Sequence, residues 1–356
     1  MTINAAQHTI PPADDPTARL RLLVVVTWKE EGQWYLYRQL KTRFRTVEVL
    51  QPGPGMRHVP ALAGRVMPAL LALRAFARRR RFDAVCSWST PVGVCYGLLN
   101  RLAGRRGGPR HILRDFHVNM EREDWRYRLR LGLLRTALPG IDTLLCTSRE
   151  EAPLYAETFA LEPARIRFFP DVPPSQFLAV RTAAAVSDYI FAYGNSDRDF
   201  DTLLKAVQGL GHQTIILSQQ FAPRRPVPPG VQIVSDRVSM PKIQEIIQAA
   251  AVVVVPLEHY RVAAGQNSLL EAMALGRPVI VTENFATREY TVHGRTALLC
   301  PAGDAACMAQ LLRQVFADRS AAEAMAARAR QAASEMLDSQ VELFIDSVRD
   351  VCRAPA

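Results

Sequence analysis

The sequence predicts an α/β protein made of two doubly wound domains in series, and three observations carry this. Short β-rich apolar runs alternate with helical stretches, the pattern of a parallel sheet with helices on both faces. The alternation breaks at the Pro-rich, aperiodic "PDVPPSQF" of residues 170–177 and then restarts. At 356 residues the chain also exceeds what one simple core encloses.

In order, residues 1–18 have no apolar core and carry Asp14 and Asp15, so they read as a flexible tail and not as a signal peptide. The first domain is expected over 19–169. It has strands at "RLLVVVT", "TVEVLQPG", "FDAVCSW", "RHILRDFH", "DTLLCTS" and "RIRFFP", with helices between them. Residues 170–180 read as a linker. The second domain, 181–338, places strands at "DYIFAYG", "QTIILS", "VQIVSD", "AVVVVPL", "RPVIVT" and "TALLCP". Helices run from 304 onward, and 339–356 forms the last one. Ligands of such sheets sit beyond the C-terminal ends of the strands, and between two such domains the cleft is the default site.

Composition narrows the function classes. Apolar residues make up 49% and charged residues 22%, as in a soluble globular protein. No apolar run reaches the ~20 residues of a membrane span. The net charge of +10 is uneven, at +11 for residues 1–180 and −1 for 181–356, so the first half is expected to face an anionic partner. The six cysteines have no CxxC spacing and mostly sit in apolar runs. They read as reduced and structural, in a cytoplasmic compartment. The seven histidines show no ligand spacing, so no metal is expected.

The chemistry is concentrated in "RVAAGQNSLLEAMALGRPVIVT", residues 261–282. A buried strand ends before it, and a helix is expected to begin near Asn267 or Ser268. The free amide groups and positive dipole end of that helix favour a phosphate. Gly265 lets a ligand approach the backbone closely. Two readings of Glu271 compete. "SLLE" fits a capping box with Ser268 as N-cap, and a carboxylate beside a phosphate-binding helix end also suits the vicinal hydroxyls of a ribose.

"GQNSLLEAMALGRPVIVTEN" and "REYTVHGRTALLCPAGD" resemble the donor-binding half of glycosyltransferase family 4. The resemblance implies the GT-B fold: two Rossmann-like doubly wound domains facing a cleft, with a C-terminal helix crossing back to the N-terminal domain. It also implies retaining transfer from a UDP- or GDP-linked sugar, a substrate and not a cofactor. "FAYGNSDRDFDTLLKAV" resembles a second family segment. There Arg198 stands where a Lys usually grips the diphosphate, and guanidinium suits phosphate through its fork. The alternative for Arg198 is a surface pair with Asp197 or Asp201. The donor set implied is Gly32, Gly194, Asn195, Ser196, Arg198, Val238, Gly265, Gln266, Asn267, Ser268 and Glu271. Two positions depart from the family. Ala263 replaces a frequent glutamate eight positions before Glu271, so a contact to the donor sugar is missing or comes from Gln266 or Asn267. Asn195 replaces a frequent Arg after the glycine.

The N-terminal domain is expected to hold a glycan or lipid-linked acceptor. "ILRDFHVN" places Asp115 and His117 where related enzymes have a polar residue near the reacting sugar, so both are candidate catalytic residues beside Arg198. The alternative is that "RDF" forms a surface ion pair and His117 caps the following helix. The mechanism implied is front-face transfer in which the leaving phosphate helps deprotonate the acceptor. Arg198 and the helix N-terminus stabilise the leaving charge, without a metal. A sugar-nucleotide epimerase or hydrolase of the same fold, and a non-catalytic basic binder, are the rival readings.

Most of the positive charge lies in "PALLALRAFARRRR" and "EREDWRYRLRLGLLR". In the first, Arg74, Arg78 and Arg81 share one stripe, and Leu70, Leu73 and Ala77 another. In the second, Arg122, Arg126 and Arg130 align, with Trp125, Leu129 and Leu133 as the apolar stripe. Such helices suit an anionic membrane surface, which would place the protein peripherally on the inner face of the cytoplasmic membrane. A core-facing stripe with a solvated basic face is the alternative.

Overall fold

The computed structural model describes residues 16–28, 34–53, 61–104, 107–116, 118, 125–180 and 187–353; for 61–65 and 126 it describes the backbone alone. Most of the expected flexible tail lies outside these residues. The chain divides into two compact units. One comprises residues up to 118, 122–170 and 339–356, and the other 119–121 and 171–338.

In the first unit the strands are β1 (Arg21–Val25), β2 (Thr46–Leu50), β3 (Ala84–Ser87), β4 (Arg110–Arg114), β5 (Thr143–Cys146) and β6 (Ile166–Phe168). The helices are α1 (Tyr35–Arg43), α2 (Ala61–Arg78), α3 (Thr90–Leu102), α4 (Trp125–Ala137) and α5 (Glu151–Phe159). The sheet is parallel throughout, in the order β2-β1-β3-β4-β5-β6. Strand side chains alternate between its faces. Leu22, Val24 and Cys86 pack with α1 on one face, and Leu23, Val25 and Val85 with α2 and α3 on the other. Pro68 lies inside α2, which begins earlier than the sequence periodicity indicated.

The second unit holds α6 (Ser175–Ala179), β7 (Ile190–Tyr193), α7 (Phe200–Val207), β8 (Thr214–Leu217), β9 (Val231–Val234) and α8 (Met240–Ala249). It continues with β10 (Val252–Val255), α9 (Gln266–Ala274), β11 (Val279–Thr282), α10 (Thr287–Tyr290), β12 (Leu298–Cys300) and α11 (Ala305–Ala317). Its sheet is also parallel, in the order β12-β11-β10-β7-β8-β9. β10 is buried on both faces, as its unbroken run of valines requires. Phe191, Tyr193, Val253 and Val255 face α8 and α9, and Ile190, Ala192, Val252 and Val254 face α7 and α11.

The stretch 170–180, expected as a linker, carries α6, and its Phe177 is buried in the core of the second unit. The last helix, α12 (Arg319–Arg353), is continuous for 35 residues. Ala329 and Ala333 pack in the second unit, and Val341, Phe344, Ile345 and Val348 pack against the first sheet. Among the described residues, no helix is long and apolar enough to cross a membrane.

Candidate functional site

The strand order of the second unit fixes where a ligand fits. β7 comes first in sequence; β8 and β9 extend the sheet on one side of it, and β10 to β12 on the other. The order therefore reverses between β7 and β10, and open α/β sheets bind ligands outside the carboxyl ends of strands at such a point. The two segments that leave those ends are residues 194–199, which carry Arg198, and 256–265, which lead into α9.

After β7 the chain turns through Gly194, at φ +124°, and Asp197, at φ +53°. The backbone of Arg198 then bridges antiparallel to Leu257. Its side chain folds back over the strand end. Nε donates to the Tyr193 carbonyl at 3.1 Å, Nη1 to the Ser196 carbonyl at 2.6 Å, and Nη2 to Ser268 Oγ at 3.0 Å. A Cβ at Gly194 would lie 2.7 Å from Nε and Nη2, so the glycine makes room for the guanidinium. The alternative surface pair does not form. Asp197 Oδ1 pairs with His259 Nδ1 at 2.5 Å, and Asp201 with Arg225 Nε at 3.6 Å. Burial lowers the Arg198 guanidinium from its ordinary value, against the charges of Tyr193, Asp197 and Glu271; guanidinium stays charged regardless.

α9 overturns the capping-box reading of Glu271. The helix begins at Gln266, and its N-cap is Gly265 at φ +88°, which makes no side-chain cap. The first i→i−4 bond runs from the Leu269 amide to the Gly265 carbonyl. Ser268 is therefore already the third helical residue, and Glu271 lies a full turn too deep to cap anything. The Glu271 carboxylate instead accepts from the Tyr193 hydroxyl, Oη to Oε2 at 2.5 Å. Burial holds that carboxyl above the usual range, against the Tyr193 hydrogen bond and the Arg198 charge. Burial, the Glu271 charge and this hydrogen bond together push the Tyr193 phenol far up. Arg198, Tyr193, Ser268 and Glu271 thus form one network at the end of β7. At Gly265 a Cβ would meet Leu257 Cδ1 at 2.9 Å, so this glycine serves packing and a left-handed backbone.

The remaining expected donor residues have distinct surroundings. Asn195 accepts from Ser218 Oγ at 3.0 Å and from the Gln219 amide at 2.9 Å, tying the turn to the end of β8. Ser196 contributes its carbonyl to Arg198. Gln266 is buried and Asn267 exposed at the start of α9. Val238 is half-buried before α8, packed against the core. The loop into α9 is held by Asn284, whose Nδ2 donates to the Val262 and Ala264 carbonyls at 3.0 and 3.3 Å. Tyr193 and Asn284 were not singled out from sequence. Tyr193 reads there as one more strand residue, though its place just before a turn glycine is the signal that finds it.

Arg198, Asn195, Asp197, Asp199 and Glu258 line a cleft of about 350 Å³ within this unit. Among the described residues, one His and carboxylate group gathers ligand atoms within 4.8 Å: Asp197, Glu258 and His259. These lie 61 or more positions apart from Asp197 onward, so no sequence spacing reveals them. The His259 Nδ1 is already engaged with Asp197.

In the first unit, Asp115 ends β4 at φ +64°. Its side chain pairs with Arg114 at 3.3 Å, and its carbonyl accepts from Thr90 Oγ1 at 2.7 Å. The surface ion pair is the arrangement found. His117 and Gly32 lie outside the described residues.

Fold and site together define the class: a protein of the GT-B fold, with a candidate anion and hydroxyl site at the switch point of its second Rossmann-like unit. The family model described as glycosyl transferases group 1 matches residues 201–318, which include Glu271 and all of α9. No curated protein sequence matches the chain. Among solved structures, it is similar to a glycosyltransferase from Rickettsia africae ESF-5, at 13% identity and TM-score 0.68, covering 95% of this chain and 100% of that one. It is also similar to Anabaena HepE in complex with UDP-glucose, at 14% identity and TM-score 0.61, covering 92% and 100%. A trehalose-6-phosphate structure from E. coli bound with UDP-2-fluoro glucose has 11% identity and TM-score 0.67, covering 94% and 99%.

Proposed function

We propose that this protein is a retaining glycosyltransferase moving a sugar from a nucleotide-sugar to a hydroxyl of a glycan or lipid-linked acceptor, in polysaccharide or glycolipid synthesis. The observation that carries the reading is the convergence of Arg198, the N-terminus of α9 and Glu271 at one sheet switch point. The segments resembling family 4 support retention. The UDP-linked sugars held by two of the structural neighbours make UDP the first donor nucleotide to test.

Each group has a chemical task in this reading. Three of the five Arg198 N–H groups are spent on Tyr193, Ser196 and Ser268, which hold the fork still. The second hydrogens of Nη1 and Nη2 take the diphosphate, and the first amides of α9 add to them. As the sugar leaves, charge grows on the diphosphate, and preorganised donors stabilise it most. Glu271 Oε2 is engaged by Tyr193, and Oε1 accepts from the ribose hydroxyls. No metal is required in this scheme. The acceptor binds to the basic first unit.

A thermal-shift panel with UDP, UDP-glucose, GDP and GDP-mannose tests the donor site on the wild-type chain and on Glu271→Ala. Stabilisation of the wild type by at least one nucleotide, reduced in the variant, is expected. If no nucleotide stabilises the wild type, the donor reading fails. Turnover of donor that is indifferent to added acceptor would replace transfer by hydrolysis or epimerisation.

A further inference from the structure

α2 and α4 each carry two apolar stripes, and only one faces the core. In α4 the buried side is Tyr127, Leu134 and Ala137. Trp125, Leu129 and Leu133 centre roughly 130° round the helix from it, at the ~100° per residue of an α-helix. They are 66%, 70% and 50% exposed. In α2 the buried side is Leu71, Ala72 and Ala75, and Val66, Leu70 and Leu73 centre roughly 180° away, each more than 40% exposed. The core-facing alternative from the sequence is therefore excluded for these stripes. An amphipathic surface helix needs one apolar side; these have a second that stays largely exposed.

The charge beside those stripes is of one sign. α2, α3 and α4 contain eight Arg and no Asp or Glu. Arg74, Arg78, Arg101, Arg128, Arg130 and Arg135 are exposed. α3 packs against both α2 and α4, and right-handed crossovers put all three on the same face of the sheet. Its C-terminal end carries Arg101 and Leu102, the latter 85% exposed. Arg101 Nη1 donates to the Thr136 carbonyl at 2.8 Å, joining α3 to the end of α4. Glu121, Glu123 and Asp124 precede α4 in sequence and lie outside the described residues.

We propose that the outer face of α2, α3 and α4 docks on an anionic lipid bilayer. Trp125, Leu129 and Leu73 enter the headgroup boundary and the Arg side chains meet lipid phosphates. The choice of occupant rests on charge. Eight Arg without a single acid repel a second copy of the same face, whereas apolar anchors ringed by Arg match a surface with an apolar interior and anionic headgroups. This inference stands independently of the glycosyl-transfer reading.

The test is co-sedimentation of the full chain with vesicles of phosphatidylcholine alone or mixed with phosphatidylglycerol. Three variants accompany it: Trp125→Ser with Leu129→Ser, Arg128→Gln with Arg130→Gln, and Arg313→Gln, at an exposed position of α11, as a charge control. Binding is expected only to the mixed vesicles, and to weaken between about 0.1 M and about 1 M salt, as the screening length falls from about 10 to about 3 Å. Each Arg removed should cost about fivefold in partitioning, the apolar double variant should lose binding at either salt, and Arg313→Gln should bind like wild type. All the substituted residues are exposed, so unfolding temperatures should stay together. The proposal is overturned if wild type ignores anionic vesicles, or if the α4 variants bind them as well as Arg313→Gln does. It is equally overturned if size-exclusion chromatography shows a dimer that the Trp125 and Leu129 double variant dissociates.

Discussion

The Tyr193 hydroxyl donates to Glu271 across 2.5 Å, joining the end of β7 to the second turn of α9. Because burial raises the Glu271 carboxyl above its ordinary value, the folded chain holds that proton more tightly than the unfolded one. Stability from this group is then fully present below the unfolded value of about 4.3, and is lost as pH rises through the higher folded value. At pH 7 an ionised Glu271 works against folding. Glu271→Gln should accordingly be at least as stable as wild type at pH 7, and should lose that advantage towards pH 4, while nucleotide stabilisation is reduced at both. Melting temperatures against pH check this. A variant weaker at pH 7 than at pH 4, relative to wild type, would contradict it.

Tyr193→Phe removes the donor and leaves the buried carboxylate in place. A hydrogen bond to a charged group contributes about 1.5–3 kcal/mol, so a destabilisation of about that size is expected at pH 7. It should shrink where Glu271 is protonated. Urea unfolding at two pH values measures it.

Arg198→Lys keeps the charge and loses the fork. A lysine cannot hold the Tyr193 carbonyl, the Ser196 carbonyl and Ser268 Oγ while also facing a diphosphate. Losing one to two charge-assisted bonds predicts UDP binding weaker by about tenfold or more, measured by titration calorimetry.

Gly194→Ala should reproduce that loss with Arg198 still present. The added Cβ lands on the guanidinium, at a φ of +124° that an alanine resists. Wild-type UDP affinity in this variant would show that the folded-back position of Arg198 does not matter for binding.

No disulfide joins the six cysteines, and burial pushes the Cys300 thiol up to about 12 and the Cys352 thiol to about 11. Thiolate is the reactive form. At pH 8 the native chain should therefore react slowly with a thiol reagent, and six groups should titrate on unfolding. Rapid native labelling of Cys300, located by mass spectrometry, would refute this.

Much of the fold was legible because it rests on local periodicity. Runs such as "AVVVVPL" and "RLLVVVT" announce strands buried on both faces, and helices fill the intervals between them. What escaped was decided over distance or by one backbone angle. The start of α9 moved because Gly265 adopts a positive φ and takes the cap position, and nothing in "SLLE" records that. The partner of Glu271 is 78 positions away at Tyr193, and His259 meets Asp197 across 62. The exposed stripes of α2 and α4 have the same residue spacing as a core-facing stripe; which side turns inward depends on the sheet beneath.

α12 has a consequence for the order of assembly. The β1 face bearing Leu22 and Val24 is covered in part by Phe344, Ile345 and Val348, which a ribosome adds only after residues 171–338 have been made. Domains ordinarily condense in the order they are made, but here the earlier-made one stays open along a flank until the later-made one is complete. A released chain that ends before residue 339 would hold a finished second unit and an unfinished first, and that first unit is the piece a chaperone or protease would recognise.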